Sequence, residues 1–202
     1  MIWYPILLIF ILSKVYGEWL TYDDAIIKSP FKVASIDKII TFNNEEAFLT
    51  RGKGKNHKSW FKVFLPSMDS VIVLDSTDLY FKDELLDIED IILSRTDDKV
   101  LLVTSKRKIW RYSFSATYFI YDLLDKTVYP LSKKNSDLRN VKISPDGNYF
   151  SYIRKDNNIY VYDYKKKREK RLTSSGSKTI SNGHFGWLYE EELTGYDGYR
   201  WS

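Results

Sequence analysis

Short runs of β-branched and aromatic residues alternate with turn-forming clusters past residue 30. Val71-Ile72-Val73-Leu74, Val100-Leu101-Leu102-Val103, Tyr118-Phe119-Ile120-Tyr121 and Asn158-Ile159-Tyr160-Val161-Tyr162 have the length and composition of strands. Asp97-Asp98-Lys99, Ser144-Pro145-Asp146-Gly147-Asn148 and Ser174-Ser175-Gly176 separate such runs. Asp, Asn and Ser bond back to their own backbone, and Gly accepts a left-handed φ, so these clusters predict turns.

The pattern repeats. One unit reads Ile88 to Ser94, Asp97 to Leu102, Tyr118 to Leu123 and Val128 to Leu131. The next reads Leu138 to Ser144, Asp146 to Tyr152, Ile159 to Tyr164 and Lys170 to Thr173. Each is strand, Ser-(Pro)-Asp-Gly-type turn, strand, strand ending in Tyr-Asp, hairpin, strand. A four-strand unit recurring roughly every 40–50 residues marks a β-propeller blade. A poorer copy runs from about Val33 to Leu74, and a fourth begins near Ile180. The fold class is therefore all-β: a partial propeller of about three four-stranded blades plus the start of a fourth. Such a set cannot close a ring and leaves sheet faces uncovered. The expectation is an N-terminal piece of a longer protein, or a truncated gene product.

One segment departs from the strand pattern. Trp187-Leu188-Tyr189-Glu190-Glu191-Glu192-Leu193 sets three carboxylates among Phe185, Trp187, Tyr189, Tyr196, Tyr199 and Trp201. Adjacent side chains on a strand point to opposite faces, whereas on a helical turn they lie about 100° apart and can converge. Gly183, Gly186, Gly195 and Gly198 punctuate both sides. These features predict one short helical turn over 187–194. Two readings stand: an exposed acidic helix end with its apolar neighbours in the core, or a two-carboxylate site for a cation such as a peptide's α-ammonium.

Composition narrows the function classes. Aromatics make up 16% of the 202 residues, which argues against disorder and suits strands. The 31 basic and 27 acidic residues are too balanced for a nucleic-acid binder, and no nucleic-acid partner is expected. The dense basic run Lys165-Lys166-Lys167-Arg168-Glu169-Lys170-Arg171 lies between strand-like segments and reads as an exposed hairpin turn. With no cysteine, thiol catalysis, thiolate metal sites and disulfides are excluded. Only His57 and His184 could supply imidazole, so no metal site and no cofactor are expected. Residues 1–17, apolar to Leu12 and ending Val15-Tyr16-Gly17, read as a secretory signal; a short anchor or a buried strand is the alternative. Residues 18–32 form a lead-in. The location expected is secreted or extracytoplasmic, or membrane-anchored through the N-terminal segment.

Three segments together resemble the propeller domain of dipeptidyl peptidase IV-type serine peptidases. Ile109-Trp110-Arg111-Tyr112-Ser113 followed by Tyr118-Phe119-Ile120-Tyr121-Asp122-Leu123 is similar to the family's Trp-Arg-x-Ser and Tyr-x-Ile-Tyr-Asp-Leu. The blade Val141–Thr173, with Ser144-Pro145-Asp146-Gly147, is the second. Trp187-Leu188-Tyr189-Glu190-Glu191-Glu192, similar to Trp-Val-Tyr-Glu-Glu-Glu, is the third. The resemblance covers 85–202 well and 18–84 loosely, which makes 33–202 an incomplete propeller domain of that kind. It implies that Glu191 and Glu192 grip a substrate's free amino terminus and that Arg111 hydrogen-bonds a substrate carbonyl. An ordinary surface ion pair is the other reading of Arg111. A fixed ammonium leaves room for two residues before the nucleophile, so the family removes dipeptides, typically with proline or alanine second. Glu190 is expected to face elsewhere, since three successive helical residues sweep about 200°, and its replacement to matter least.

The family's Ser, Asp and His lie in a C-terminal α/β-hydrolase domain. This chain has no Gly-x-Ser-x-Gly, and that domain is expected to be absent; no catalytic residue carries over. His184 reads as shaping its loop. The partners implied are a peptide N-terminus, the missing hydrolase domain and, in a full-length protein, a second copy. Alternatives are a non-catalytic secreted propeller that binds peptides or proteins, and a non-functional gene product.

Overall fold

The computed structural model describes residues 21–23, 38–52, 59–75, 77 and 79–202. The N-terminal signal, most of the lead-in, the start of the earliest repeat and His57 lie outside the described residues. The chain divides into two units, Met1–Ile36 and Asp37–Ser202, and the strands belong to the second.

That unit is all-β with one short helix. Strands β1 (Ile39–Thr41), β2 (Ala47–Arg51), β3 (Ser59–Phe64) and β4 (Ser70–Asp75) form one antiparallel sheet in chain order. A two-stranded ribbon, β5 (Tyr80–Phe81) and β6 (Glu84–Leu85), follows. The second sheet comprises β7 (Ile88–Leu93), β8 (Lys99–Lys108), β9 (Phe114–Asp122) and β10 (Thr127–Pro130). The third comprises β11 (Arg139–Ile143), β12 (Tyr149–Ile153), β13 (Ile159–Asp163) and β14 (Arg168–Arg171). The helix α1 spans Trp187–Leu193, one residue short of the span expected.

Why the middle sheet reads as unbroken apolar runs follows from its two-sided burial. Side chains alternate along a strand. Val100 and Leu102 of β8, with Phe119 and Tyr121 of β9, pack with Leu49, Trp60 and Leu74 of the first sheet. Leu101, Val103, Tyr118 and Ile120 point the other way, into a second core with Phe150 and Tyr152 of the third. Truncating a side chain here leaves a cavity that the strands cannot close. Leu102→Ala is therefore expected to lower stability by about 2–5 kcal/mol, read by chemical denaturation; a loss below 1 kcal/mol would contradict this packing.

Two turns repeat the same device fifty residues apart. Ser144 Oγ accepts the Tyr149 N–H at 2.9 Å and donates to Asp146, and Gly147 takes a φ of 69°. In the earlier copy Ser94 Oγ accepts the Lys99 N–H at 3.0 Å and donates to Asp98, while Asp97 takes the left-handed place with a φ of 58°. These turns also tie sheets together. Asp97 accepts the backbone N–H groups of Asn43 and Asn44 at 3.0 and 2.9 Å. A Cβ on Gly147 would sit 2.5 Å from Thr96 Oγ1, so glycine at this place lets the Ser94 and Ser144 turns approach this closely.

The segment expected to open a fourth unit near Ile180 contains no strand among the described residues. It holds α1 and one isolated bridge, His184 to Asp197. It is tied to the third sheet instead: Asn140 Nδ2 donates to the carbonyls of Gly183 and Tyr196, and the Tyr199 hydroxyl donates to the Asn140 carbonyl at 2.6 Å.

Candidate functional site

A helix of seven residues does not stand by itself in water. Gly186 starts α1 without a side-chain cap. At the other end Thr194 adopts a left-handed φ of 55°, and the Gly195 N–H bonds the Tyr189 carbonyl at 2.9 Å. What fixes the helix is Glu190. Its side chain is fully buried, and its Oε1 accepts the N–H groups of Tyr112 and Ser113, each at 2.6 Å. Those donors sit in the loop joining β8 to β9. That loop closes with the Ile109 N–H on the Ser113 carbonyl, and a register shift between Thr104 and Arg107 redirects the arms that bear it. Burial by itself would raise the Glu190 pKa, but the hydrogen bonds from Ser113 and Tyr112 outweigh it and hold the carboxyl below its ordinary range.

With the loop and helix joined in this way, Arg111 meets Glu191. Arg111 Nη2 lies 2.6 Å from Glu191 Oε2; the arginine side chain is exposed and the glutamate side chain mostly covered. Glu192 follows on the exposed side of α1 and makes no ion pair or hydrogen bond among the described residues. Of the three residues singled out from sequence, two are in contact and the third is adjacent along the helix. The arrangement offers one exposed carboxylate, one carboxylate shared with a guanidinium, and a guanidinium with donors to spare. It can take up a cation and a neighbouring carbonyl together.

The surroundings reverse the burial expected for the segment. Trp187, Leu188 and Leu193 are 56%, 60% and 66% exposed, whereas Glu190 is 0% exposed. Tyr112 stacks on Tyr196 with centroids 6.3 Å apart, and Phe185 on Tyr189 at 5.5 Å, so the aromatic residues rim the charged group. This burial also changes what replacing Glu190 is expected to do. Its carboxylate is taken by the Tyr112 and Ser113 N–H groups and not by Arg111, and it is the anchor of the helix. No sequence signal marks it, because its partners are backbone N–H groups 77 and 78 residues away.

His184 lies at the base of the same loop. Its Nε2 is 3.1 Å from Asn157 Oδ1 and its Nδ1 3.2 Å from the Phe185 carbonyl. Burial, with help from the Arg139 charge, lowers its pKa. Among the described residues no group of three His, Asp or Glu side chains is placed to hold a metal ion, and no helix is long and apolar enough to cross a membrane.

Comparison with known proteins bears on this geometry. Residues 94–202 match the family model described as "Dipeptidyl peptidase IV (DPP IV) N-terminal region". A probable dipeptidyl-aminopeptidase B of Emericella nidulans is 34% identical over 106 residues, 51% of this chain and 12% of that protein. Dipeptidyl aminopeptidase B of Saccharomyces cerevisiae is 31% identical over 140 residues, 69% of this chain and 16% of that protein. The chain thus spans less than a fifth of the length of these curated relatives. The crystal structure of Porphyromonas gingivalis dipeptidyl peptidase 4 superposes with a TM-score of 0.71 at 24% identity, over 80% of this chain and 23% of that one, and shares the fold.

Proposed function

From the premise that this chain belongs to the dipeptidyl peptidase IV N-terminal-region family, we propose that it forms the substrate-recognising part of a dipeptidyl peptidase IV-like serine exopeptidase. The observation that supports this most is the Arg111–Glu191 contact at 2.6 Å beside exposed Glu192. A peptide's α-ammonium would sit between the two carboxylates as a charge-assisted donor, with Arg111 turned to the first carbonyl. Holding the terminus there measures two residues to the bond cleaved, which suits dipeptide release with proline or alanine second. On this reading the three four-stranded sheets are propeller blades, and the protein works in a secreted or extracytoplasmic setting.

The clamp is binding machinery only. Among 202 residues there is no Gly-x-Ser-x-Gly, and binding groups without a nucleophile do not cleave an amide at a useful rate. The purified 202-residue chain is expected to release no chromophore from a Gly-Pro chromogenic amide, yet to bind a Gly-Pro peptide in an NMR titration. Turnover blocked by a serine-directed phosphonate, or failure to bind, would overturn this division of labour.

A further inference from the structure

The third sheet carries a second feature, independent of the clamp. Along the margin it shares with the second sheet lie two grooves of about 310 and 370 Å³. The first takes Lys134, Arg154 and Lys155 along its walls, and the second Lys133, Lys167 and Arg168. Arg154 separates them, its Nη2 donating to Ser132 Oγ at 3.0 Å and to Glu169 Oε2 at 2.7 Å. The grooves therefore adjoin, and six cations line them against two anions, Asp156 and Glu169, while Asp137 beside the first groove pairs with Lys155 at 2.7 Å.

The lining carries a net formal charge of +4, six basic against two acidic residues. A furrow lined mostly by one sign of charge focuses its field there.

Shape and ring chemistry choose the partner. A concave furrow excludes a flat bilayer but admits a narrow polymer. Bases of single-stranded nucleic acid need open aromatic faces to stack on. Here Tyr160, in the first groove, is covered by Tyr152 at 6.2 Å, stacked within 8°, and by the Arg154 guanidinium at 4.6 Å; Tyr162, in the second, packs partly buried against the second core. Both rings are engaged and offer no open platform. We infer that the paired grooves bind a sulfated polysaccharide, its successive anionic groups meeting Lys134 and Lys155 in one groove and Lys133, Lys167 and Arg168 in the other.

The test is titration of the chain with a heparin-type octasaccharide by calorimetry. Binding should weaken steeply with added salt, and the desulfated octasaccharide should bind at least 10-fold more weakly. A Lys133→Ala, Lys134→Ala, Lys155→Ala triple variant should lose affinity at least 10-fold. A charge-matched triple at exposed sites away from the grooves, Arg95→Ala, Lys108→Ala, Lys178→Ala, should change it less than twofold. Should the first triple not fold, Lys133→Ala and Lys134→Ala singly carry the test, since neither forms an ion pair among the described residues. Equal losses from the two triples, equal binding of the desulfated sugar, or tighter binding of a single-stranded oligonucleotide or an anionic vesicle would each overturn the assignment.

Discussion

Replacing Glu190 with Ala releases α1 from the β8–β9 loop. The fully buried carboxylate bonds two backbone N–H groups at 2.6 Å each, and alanine satisfies neither. Hydrogen bonds to a charged group contribute about 1.5–3 kcal/mol apiece, so a combined local cost of at least about 3 kcal/mol is expected. That corresponds to on the order of a 100-fold rise in local opening. Amide exchange should accelerate in 109–116 and 187–194 and stay unchanged in β8 and β12, whose stability comes from the two cores. Glu190→Gln keeps one acceptor oxygen and should recover part of the protection. Unaltered exchange in the loop and helix of the alanine variant would show that the helix is held by something else.

The second large effect concerns Glu191 and Glu192. Each is expected to lend one charge-assisted hydrogen bond to a peptide's ammonium. Glu191→Gln or Glu192→Gln should therefore cost about 1.5–3 kcal/mol of binding, roughly 10- to 150-fold. The two differ in what remains. Removing the Glu191 charge also frees Arg111, now 2.6 Å from it, whereas Glu192 has no partner to release among the described residues. Glu192→Gln should thus be the cleaner loss, without a change in exchange at Arg111. NMR titration with a Gly-Pro peptide separates the variants; equal affinity of wild type and both variants would remove these carboxylates from the site.

Much of the fold was legible because its physics is local. β8 and β9 follow from apolar runs that need burial on both faces, and the sheet does bury both, with Val100 and Leu102 on one side and Leu101 and Val103 on the other. The Ser-turn device at Ser94 and Ser144 was visible as a repeat because its hydrogen bonds close within five residues. The helix over 187–193 followed from glycine punctuation and the need for neighbouring carboxylates to converge. The roles within the triplet were less legible. Glu190, Glu191 and Glu192 are chemically identical, and what distinguishes them is a loop far away in sequence. Backbone donors at Tyr112 and Ser113 leave no mark in the side chains. Likewise Trp187 and Leu188 look like core residues by type, yet they are exposed because the helix is turned by its buried carboxylate.

Recognition of a free amino terminus by the acidic pair is what sets the proposed site apart from a surface ion pair. It is tested most directly by titrating the chain with a Gly-Pro peptide and with the same peptide N-acetylated. Acetylation removes the ammonium and changes little else, so the free peptide should bind at least 10-fold more tightly, and that preference should vanish in the Glu191→Gln, Glu192→Gln double variant. Equal binding of the two peptides to the wild-type chain would contradict the claim.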